Sequence, residues 1–536
     1  MRSATSHNQL IFDGFETDFE KWLDHDNRWV RLSRLIDWTV LSEAYNRTLS
    51  GRMGRPAKDA RLVIGAVIIK HKLCLSDEET IEQIRENPYL QYFVGFKAFY
   101  RDQAFAPSLF VDIRRRMGPE VFSCFEQSII EQLSKGKSSP AADRDDPPSS
   151  PPAPPAGSGE GADEVGDEND LPPAGKLILD ATVAEQAIRY PTDLGLLNEA
   201  REISEVIIDK LYPLPDPLPD PVLHPGAGLK KKPRTYRQKA RQDYLSLVKQ
   251  RRPGAKKRRQ AIRRQLQYLK RNLGHIETLL DRLPGRAIPL SHTLLRQYWI
   301  IQHVYLQQKQ MFDAGTRRCD DRIVSIHQPQ VRPIIRGKLN KSVEFGAKLG
   351  VSLTGDGIAC VDHISWDAYN EGRDLKQQVE AYKDRHGHYP ATLLADPLYG
   401  SRDNRKFLKD KGIRFAGKPL GRPPKMTDAV KAQDRKQRRQ DYRERIPVEG
   451  KFGQGKNGYG LNYIRAKTAI TSEAWIKSIF MVMNLMVLIR LLCANLKKAQ
   501  GRYNIAALIT RVSSMIRKTL SQEIITTHYA LSGNTF

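Results

Sequence analysis

Tyr442-Arg-Glu-Arg445-Ile-Pro-Val-Glu449-Gly-Lys-Phe-Gly-Gln-Gly-Lys456 is the stretch on which the reading of this chain turns. At about 100° of rotation per residue, Tyr442, Arg445, Glu449 and Lys456 fall within an arc of roughly 60° and share one helical face. That face carries a carboxylate, two cations and a phenol. A carboxylate can hold a divalent metal, and Arg and Lys can hold phosphate oxygens. For a single Arg…Glu pair the commoner meaning is a solvated helix with i,i+4 pairs; four matching positions weigh against it. Pro447 lacks a backbone donor and is tolerated only in a first turn, and Gly450, Gly453 and Gly455 are poor helix formers. These residues predict a helix beginning near Ile446, with Tyr442 and Arg445 just before it. The glycines also admit close approach of a nucleic-acid backbone. Arg445 and Lys456, as exposed partners of a charged face, are expected to contribute little to stability.

Two further carboxylates stand upstream in a repeated arrangement. Lys176-Leu-Ile-Leu-Asp180 reads as a short apolar strand ending in Asp, and Ala391-Thr-Leu-Leu-Ala-Asp396 repeats it, followed by a turn and a helix over 404–410. The C-terminal side of such strands is where sites on parallel-type sheets lie. Taken alone, an apolar run ending in Asp more often marks a turn or a cap. Between the two, strands are expected over 323–333, 343–353 and 358–364, the last two joined by a hairpin turn at Thr354-Gly-Asp-Gly357. Thr192 or Asp193 is expected to cap a helix running to about Leu211. His327 reads as a packed or capping histidine.

The spacing Y-x2-R-x3-E-x6-K, the region from Asp180-Ala-Thr-Val to Arg201, Trp366 to Leu375, and Asp396-Pro-Leu-Tyr399-Gly-Ser together resemble the DDE transposases of bacterial insertion sequences. The resemblance implies an α/β fold: a ribonuclease H-like mixed-sheet catalytic core with a basic helical insertion, preceded by an all-α N-terminal domain. It implies that Asp180, Asp396 and Glu449 are catalytic and bind two Mg²⁺ ions, for which Mn²⁺ can substitute. Asp180 would bridge the metals, Asp396 hold one and Glu449 the other. Two such ions roughly 4 Å apart clamp the attacking and leaving oxygens of an in-line phosphoryl displacement. Tyr442, Arg445 and Lys456 would serve phosphate binding.

Composition agrees with a polyanionic partner. The 536 residues carry a net charge of +26 with a pI near 9.7. Residues 229–271 hold eighteen Lys/Arg against the single acid Asp243, with three tyrosines interleaved. Lys230, Lys231, Lys232, Arg251, Arg252, Lys256, Lys257, Arg258 and Arg259 are therefore expected to bind DNA backbone without reading sequence. The organisation expected is a helical domain over 1–137, for DNA-end binding, with Arg114, Arg115 and Arg116 among its helices. A disordered acidic, Pro-rich linker over 138–173 follows. The catalytic domain spans 174–500, interrupted by the basic insertion at about 215–320, and a tail covers 501–536.

Residues 1–13 lack the basic-then-apolar pattern of a secretory signal, and the apolar run 479–489 is short for a bilayer and contains Asn484, so it reads as a buried helix. Five cysteines without CxxC pairs argue against a zinc site or a disulfide framework and suit a reducing cytoplasm. Nothing in the sequence supports a Ser/His/Asp triad, a glycine-rich nucleotide loop or a zinc site. The expectation is a cytoplasmic, nucleoid-associated protein with no membrane partner. It would bind double-stranded DNA at terminal inverted repeats as a homodimer or higher oligomer, cleave strands and join 3′ ends to target DNA. A ribonuclease H-like nuclease without strand transfer, or an inactive DNA-binding derivative, are the other readings.

Overall fold

The computed structural model describes residues 17–49, 56–137, 174–212, 232–281, 283, 288–335, 343–421, 427–491 and 494. The expected linker 138–173, the tail 501–536, Lys230 and Lys231 lie outside the described residues. The N-terminal part is helical, as expected: α1 (Asp18–Trp22), α2 (Arg28–Leu35), α3 (Trp38–Asn46), α4 (Ala60–Leu73), α5 (Asp77–Glu86), α6 (Pro88–Phe93), α7 (Leu109–Arg116) and α8 (Pro119–Lys137). Local chemistry sets the boundaries. Asp59 caps α4 through the amides of Arg61 and Leu62, and Ser76 with Glu79 forms the capping box expected at α5. Ile64, Ile68 and Ile69 of α4 are buried on several sides, which explains its weak amphipathicity.

One expectation here fails. Arg114, one of three arginines expected among the helices to serve DNA-end binding, is buried. Its guanidinium forms two bonds to Asp77 at 3.0 and 2.8 Å and lies 5.0 Å from the centre of the Trp475 ring. Lys70 reaches the same Asp77 at 2.9 Å and the same ring at 4.5 Å. Only Arg115 and Arg116 face solvent.

The core is a six-stranded sheet: β1 (Lys176–Glu185), β2 (Arg332–Ile335), β3 (Val343–Thr354), β4 (Ala359–Ser365), β5 (Thr392–Ala395) and β6 (Arg414–Phe415). Its order is β2-β3-β1-β5-β6, with β4 also pairing β3; β1, β3 and β4 run antiparallel, whereas β5 and β6 run parallel to β1. The strand expected at 323–331 is absent, and β2 begins only at Arg332. Nor does β1 end at Asp180. It continues to Glu185, because Ala181 to Glu185 pair with Gly346 to Gly350 of β3. Gly346 is required there, since a Cβ would lie 1.9 Å from the Ala184 carbonyl oxygen.

Helix α9 (Asp193–Leu211), capped by Thr192 as expected, packs with α11 (Ala255–Leu280) and α12 (His292–Asp313) through a second core that includes Ile207, Ile208, Leu269, Ile276 and Ile301. With α10 (Arg237–Val248) these helices form the insertion between β1 and β2. Helices α13 (Leu375–His386), α14 (Arg402–Asp410) and α15 (Asp428–Gly458) complete the order, and α16 spans Ala469–Leu491. The segment read as a buried helix is thus part of a 23-residue one. By length and composition it could cross a membrane, but 72% of its most apolar window is buried inside the protein. Asn484 caps the start of β4, accepting from the Ala359 amide at 2.9 Å and donating to its carbonyl at 2.8 Å.

Glu126 of α8 sits where the helical part meets the sheet, facing Arg385 of α13, Cys360 and Asp362 of β4, and Lys477 of α16. Burial pushes its carboxyl up to about 7, against the opposing pull of Arg385. The folded protein therefore holds this proton more tightly than the unfolded chain, so stability falls as pH rises from about 4.5 through 7. Melting temperatures taken from pH 5 to 8 should show this loss, on the order of 2 kcal/mol. Glu126→Gln should flatten it; an unchanged profile in that variant would remove Glu126 as its source.

Candidate functional site

Asp180 and Asp396 are brought together by strand register. Leu179 pairs with Ala395 as the last residues of the parallel β1–β5 ladder. The next residue on each strand is an aspartate, on chains about 4.8 Å apart. Both point to one face by alternation, since Ile178 and Leu394 share one core cluster while Leu177, Leu179, Leu393 and Ala395 share the other. Helix α15 lies over that face, with Val448 fully buried beneath it.

The helix does not begin near Ile446. It starts at Asp428 behind Thr427, and Tyr442, Arg445 and Glu449 all lie on it, with Pro447 inside. Tertiary anchors override the local breakers. Asp441 takes both guanidinium nitrogens of Arg414 at 3.0 and 2.8 Å, Glu444 takes Lys176 at 2.8 Å, and Lys451 donates to the Gly357 carbonyl at 3.0 Å. Pro447 and Arg443, whose carbonyl the proline leaves without a helical donor, both stand on the exposed side of the helix.

The three carboxylates converge on one cation. Arg445 Nη1 lies 2.6 Å from Asp396 Oδ1 and 3.9 Å from Asp180 Oδ2, and its Nη2 donates to Glu449 Oε1 at 3.2 Å. One guanidinium thus touches side chains separated by 216 and 53 positions in sequence. Asp180 is the enclosed member. Its Oδ1 accepts from the Ala181 amide at 2.8 Å, and its carboxyl is pushed up to about 6, chiefly by burial and further by the charges of Asp396 and Glu371, against the pull of Ala181 and Arg445. Asp396 and Glu449 are 46% and 60% exposed, so a ligand can reach them from solvent.

The donor set is all oxygen, which suits a hard divalent cation. As they stand, the side chains are gathered around a guanidinium, and among the described residues no group of three or more His, Cys, Asp or Glu closes on one point. Arg445 occupies the position between the carboxylates.

The remaining sequence-derived residues are placed as follows. Tyr442 is 64% exposed on α15. Lys456 has its Nζ 3.8 Å from the buried Glu344. Tyr399 is fully buried, its hydroxyl without a hydrogen-bond partner among the described residues, and burial beside Glu371 and Asp180 raises its phenol far above the usual range. Ser401 caps α14 through the Asn404 amide. Sequence reading gave Glu371 no role, although it lies in the Trp366 to Leu375 stretch; it is paired to Lys348 at 2.8 Å and its charge acts on Asp180.

On the insertion, Arg251, Arg252, Lys256, Lys257 and Arg258 are exposed around the start of α11 and form no ion pair among the described residues. Arg259 is also exposed, and stacks over Phe312 at 4.3 Å while donating to its carbonyl. Lys232 is instead engaged with Asp209 at 2.8 Å, as is Arg237 at 2.9 Å.

Comparison with known proteins agrees with this layout. Residues 393–486 match the family model described as a transposase DDE domain, a stretch containing Asp396, Glu449 and all of α15. Residues 17–116 match the transposase domain DUF772, covering α1 to α7. A protein described as uncharacterized, ORF8 in the nfe locus of Rhizobium meliloti, is 30% identical over 175 residues, which is 32% of this chain and 69% of that protein. No solved structure matches.

Proposed function

The chain belongs to the DDE transposases of insertion sequences, and from that premise we propose that it binds terminal inverted repeats, cleaves DNA strands and joins their 3′ ends to target DNA. The observation that carries this reading is the convergence of Asp180, Asp396 and Glu449 on one cation from β1, the end of β5 and α15. The mixed sheet, with an antiparallel half and a parallel half meeting at β1, supports a ribonuclease H-like core.

Transposases of this family generally work with a divalent metal, and Mg²⁺ is the ion this donor set suits best. Asp180, Asp396 and Glu449 would hold it. Held there, the ion would supply positive charge toward the attacking and leaving oxygens of phosphodiester hydrolysis and transesterification. The chain's own residues do the rest. Register fixes the two aspartates side by side, and the Lys176, Arg414 and Val448 contacts fix the helix that presents Glu449. Arg445, one turn away, would take up phosphate charge once it leaves the carboxylates.

The deciding experiment incubates the full chain and Mg²⁺ with a duplex carrying one end of the element and its flanking sequence. Joined products support the transposase reading. Nicks without joining would leave a nuclease, and binding without nicks an inactive derivative.

The exposed cluster Arg251, Arg252, Lys256, Lys257 and Arg258 is proposed to dock along the DNA backbone. Changing all five to Gln should lower the slope of log affinity against log salt by about four. The same change at Lys232 and Arg237 should do much less, since Asp209 already engages both. Equal slopes for the five-fold variant and the wild type would reduce the cluster to a solvated surface.

A further inference from the structure

Helix α15 carries two features that its packing does not account for. The first is its N-terminal half. From Asp428 to Gln440 every residue but Asp434 is exposed, so about four turns stand away from the protein body. The acids near this segment have partners: Asp428 with Lys431, Asp434 with Arg438, Asp441 with Arg414 and Glu444 with Lys176. Arg435, Lys436, Arg439 and Arg443 are left exposed and form no ion pair among the described residues. They fall within an arc of about 100° and make a continuous basic stripe.

The second feature lies further along the same arc. Gly450 and Gly453 occupy it where the stripe reaches Glu449. Glycine is a poor choice inside a helix, and neither position needs it for the fold described: both have ordinary helical backbone, and a Cβ at either would meet nothing within 4 Å among the described residues. Gly455, on the buried side, differs, because a Cβ there would meet Leu461 at 3.2 Å. Nothing among the described residues explains two bare positions on an open helical face. A partner arriving from outside does.

We propose that this face of α15 is a track for the sugar–phosphate backbone of duplex DNA. Arg435, Lys436, Arg439 and Arg443 hold phosphates, and the bare backbone at Gly450 and Gly453 lets the strand approach beside Glu449. The track runs about 27 Å from Arg435 to Gly453, long enough to follow several phosphates. It rests on the reading of the chain as a DNA-processing enzyme, and it is separate from the cluster on α11. Contact of this kind positions the strand without reading its sequence.

The test uses the full chain, a duplex of arbitrary sequence several helical turns long, and EDTA to prevent cleavage. Arg435→Gln with Arg439→Gln should lower the salt slope by about two. Gly450→Leu should weaken binding about tenfold, and Gly450→Ala by less, following the bulk added to the track. Alanine favours the helix, so circular dichroism and melting temperature of Gly450→Ala should equal or exceed those of the wild type, which separates lost contact from lost structure. Wild-type protein that fails to bind the duplex would overturn the DNA reading itself. Wild-type binding with all variants unchanged would overturn the track alone. If Gly450→Ala loses as much binding as Gly450→Leu, the glycines serve helix flexibility and close approach is wrong.

Discussion

A Glu449→Gln protein is expected to lose strand cleavage on the order of 10³-fold or more while keeping its affinity for duplex DNA. The substitution keeps the shape and removes the charge. Glu449 is 60% exposed and its side chain bonds only Arg445 among the described contacts, so the fold has little to lose. Asp180→Asn provides the complementary case. Its carboxyl is raised to about 6 by burial, so in metal-free protein at pH 8 the charged form is held at a cost to folding. A raised carboxyl gives up stability as pH rises through its folded value, and a neutral amide avoids that loss. Asp180→Asn should therefore melt at or above the wild-type temperature in EDTA at pH 8, and still fail to cleave. Inactivity paired with full stability in both variants ties these carboxylates to chemistry. Residual cleavage above about a tenth of wild type in Glu449→Gln would exclude Glu449 from the metal set.

The legible parts of this site were those with local signatures. Apolar runs ending in Asp180 and Asp396 declared two strands, and the Tyr442 to Lys456 spacing declared one face. What escaped was set at long range. The continuation of β1 past Asp180 depends on pairing with β3, more than 150 positions later, across the glycine at 346. The unbroken passage of α15 through Pro447 depends on Arg414 and Lys176, both distant in sequence from the Asp441 and Glu444 they hold. Propensity argued for a break, and tertiary contacts outweighed it. Charge counting was misleading in the same way. Arg114 belongs to a buried pair over Trp475, and Lys232 and Arg237 are held by Asp209, so only part of the basic excess is free to meet a polyanion.

The role of Arg445 follows from its position more than from its type. Sequence placed it on an exposed face, where its removal should leave stability unchanged; in the fold it is 19% exposed and in contact with all three carboxylates. It is the cation that balances them in metal-free protein. Arg445→Ala leaves Asp180 and Asp396 as like charges on neighbouring strands. Removing one partner of a buried ion pair costs about 3–5 kcal/mol. Because Asp396 and Glu449 are largely solvated, the expected loss here is nearer 1–2 kcal/mol, or a few degrees of melting temperature in EDTA. Mg²⁺ should then raise the melting temperature of Arg445→Ala more than that of the wild type, since the ion no longer competes with a resident guanidinium. Cleavage should nonetheless fall by about 10²-fold, because the group that takes up phosphate charge is gone. Arg445→Lys, which keeps one charge but loses the forked donors, should restore the stability in EDTA and only part of the cleavage. Identical melting of Arg445→Ala and wild type in EDTA, with equal gains from Mg²⁺, would show that Arg445 does not stand in for the metal.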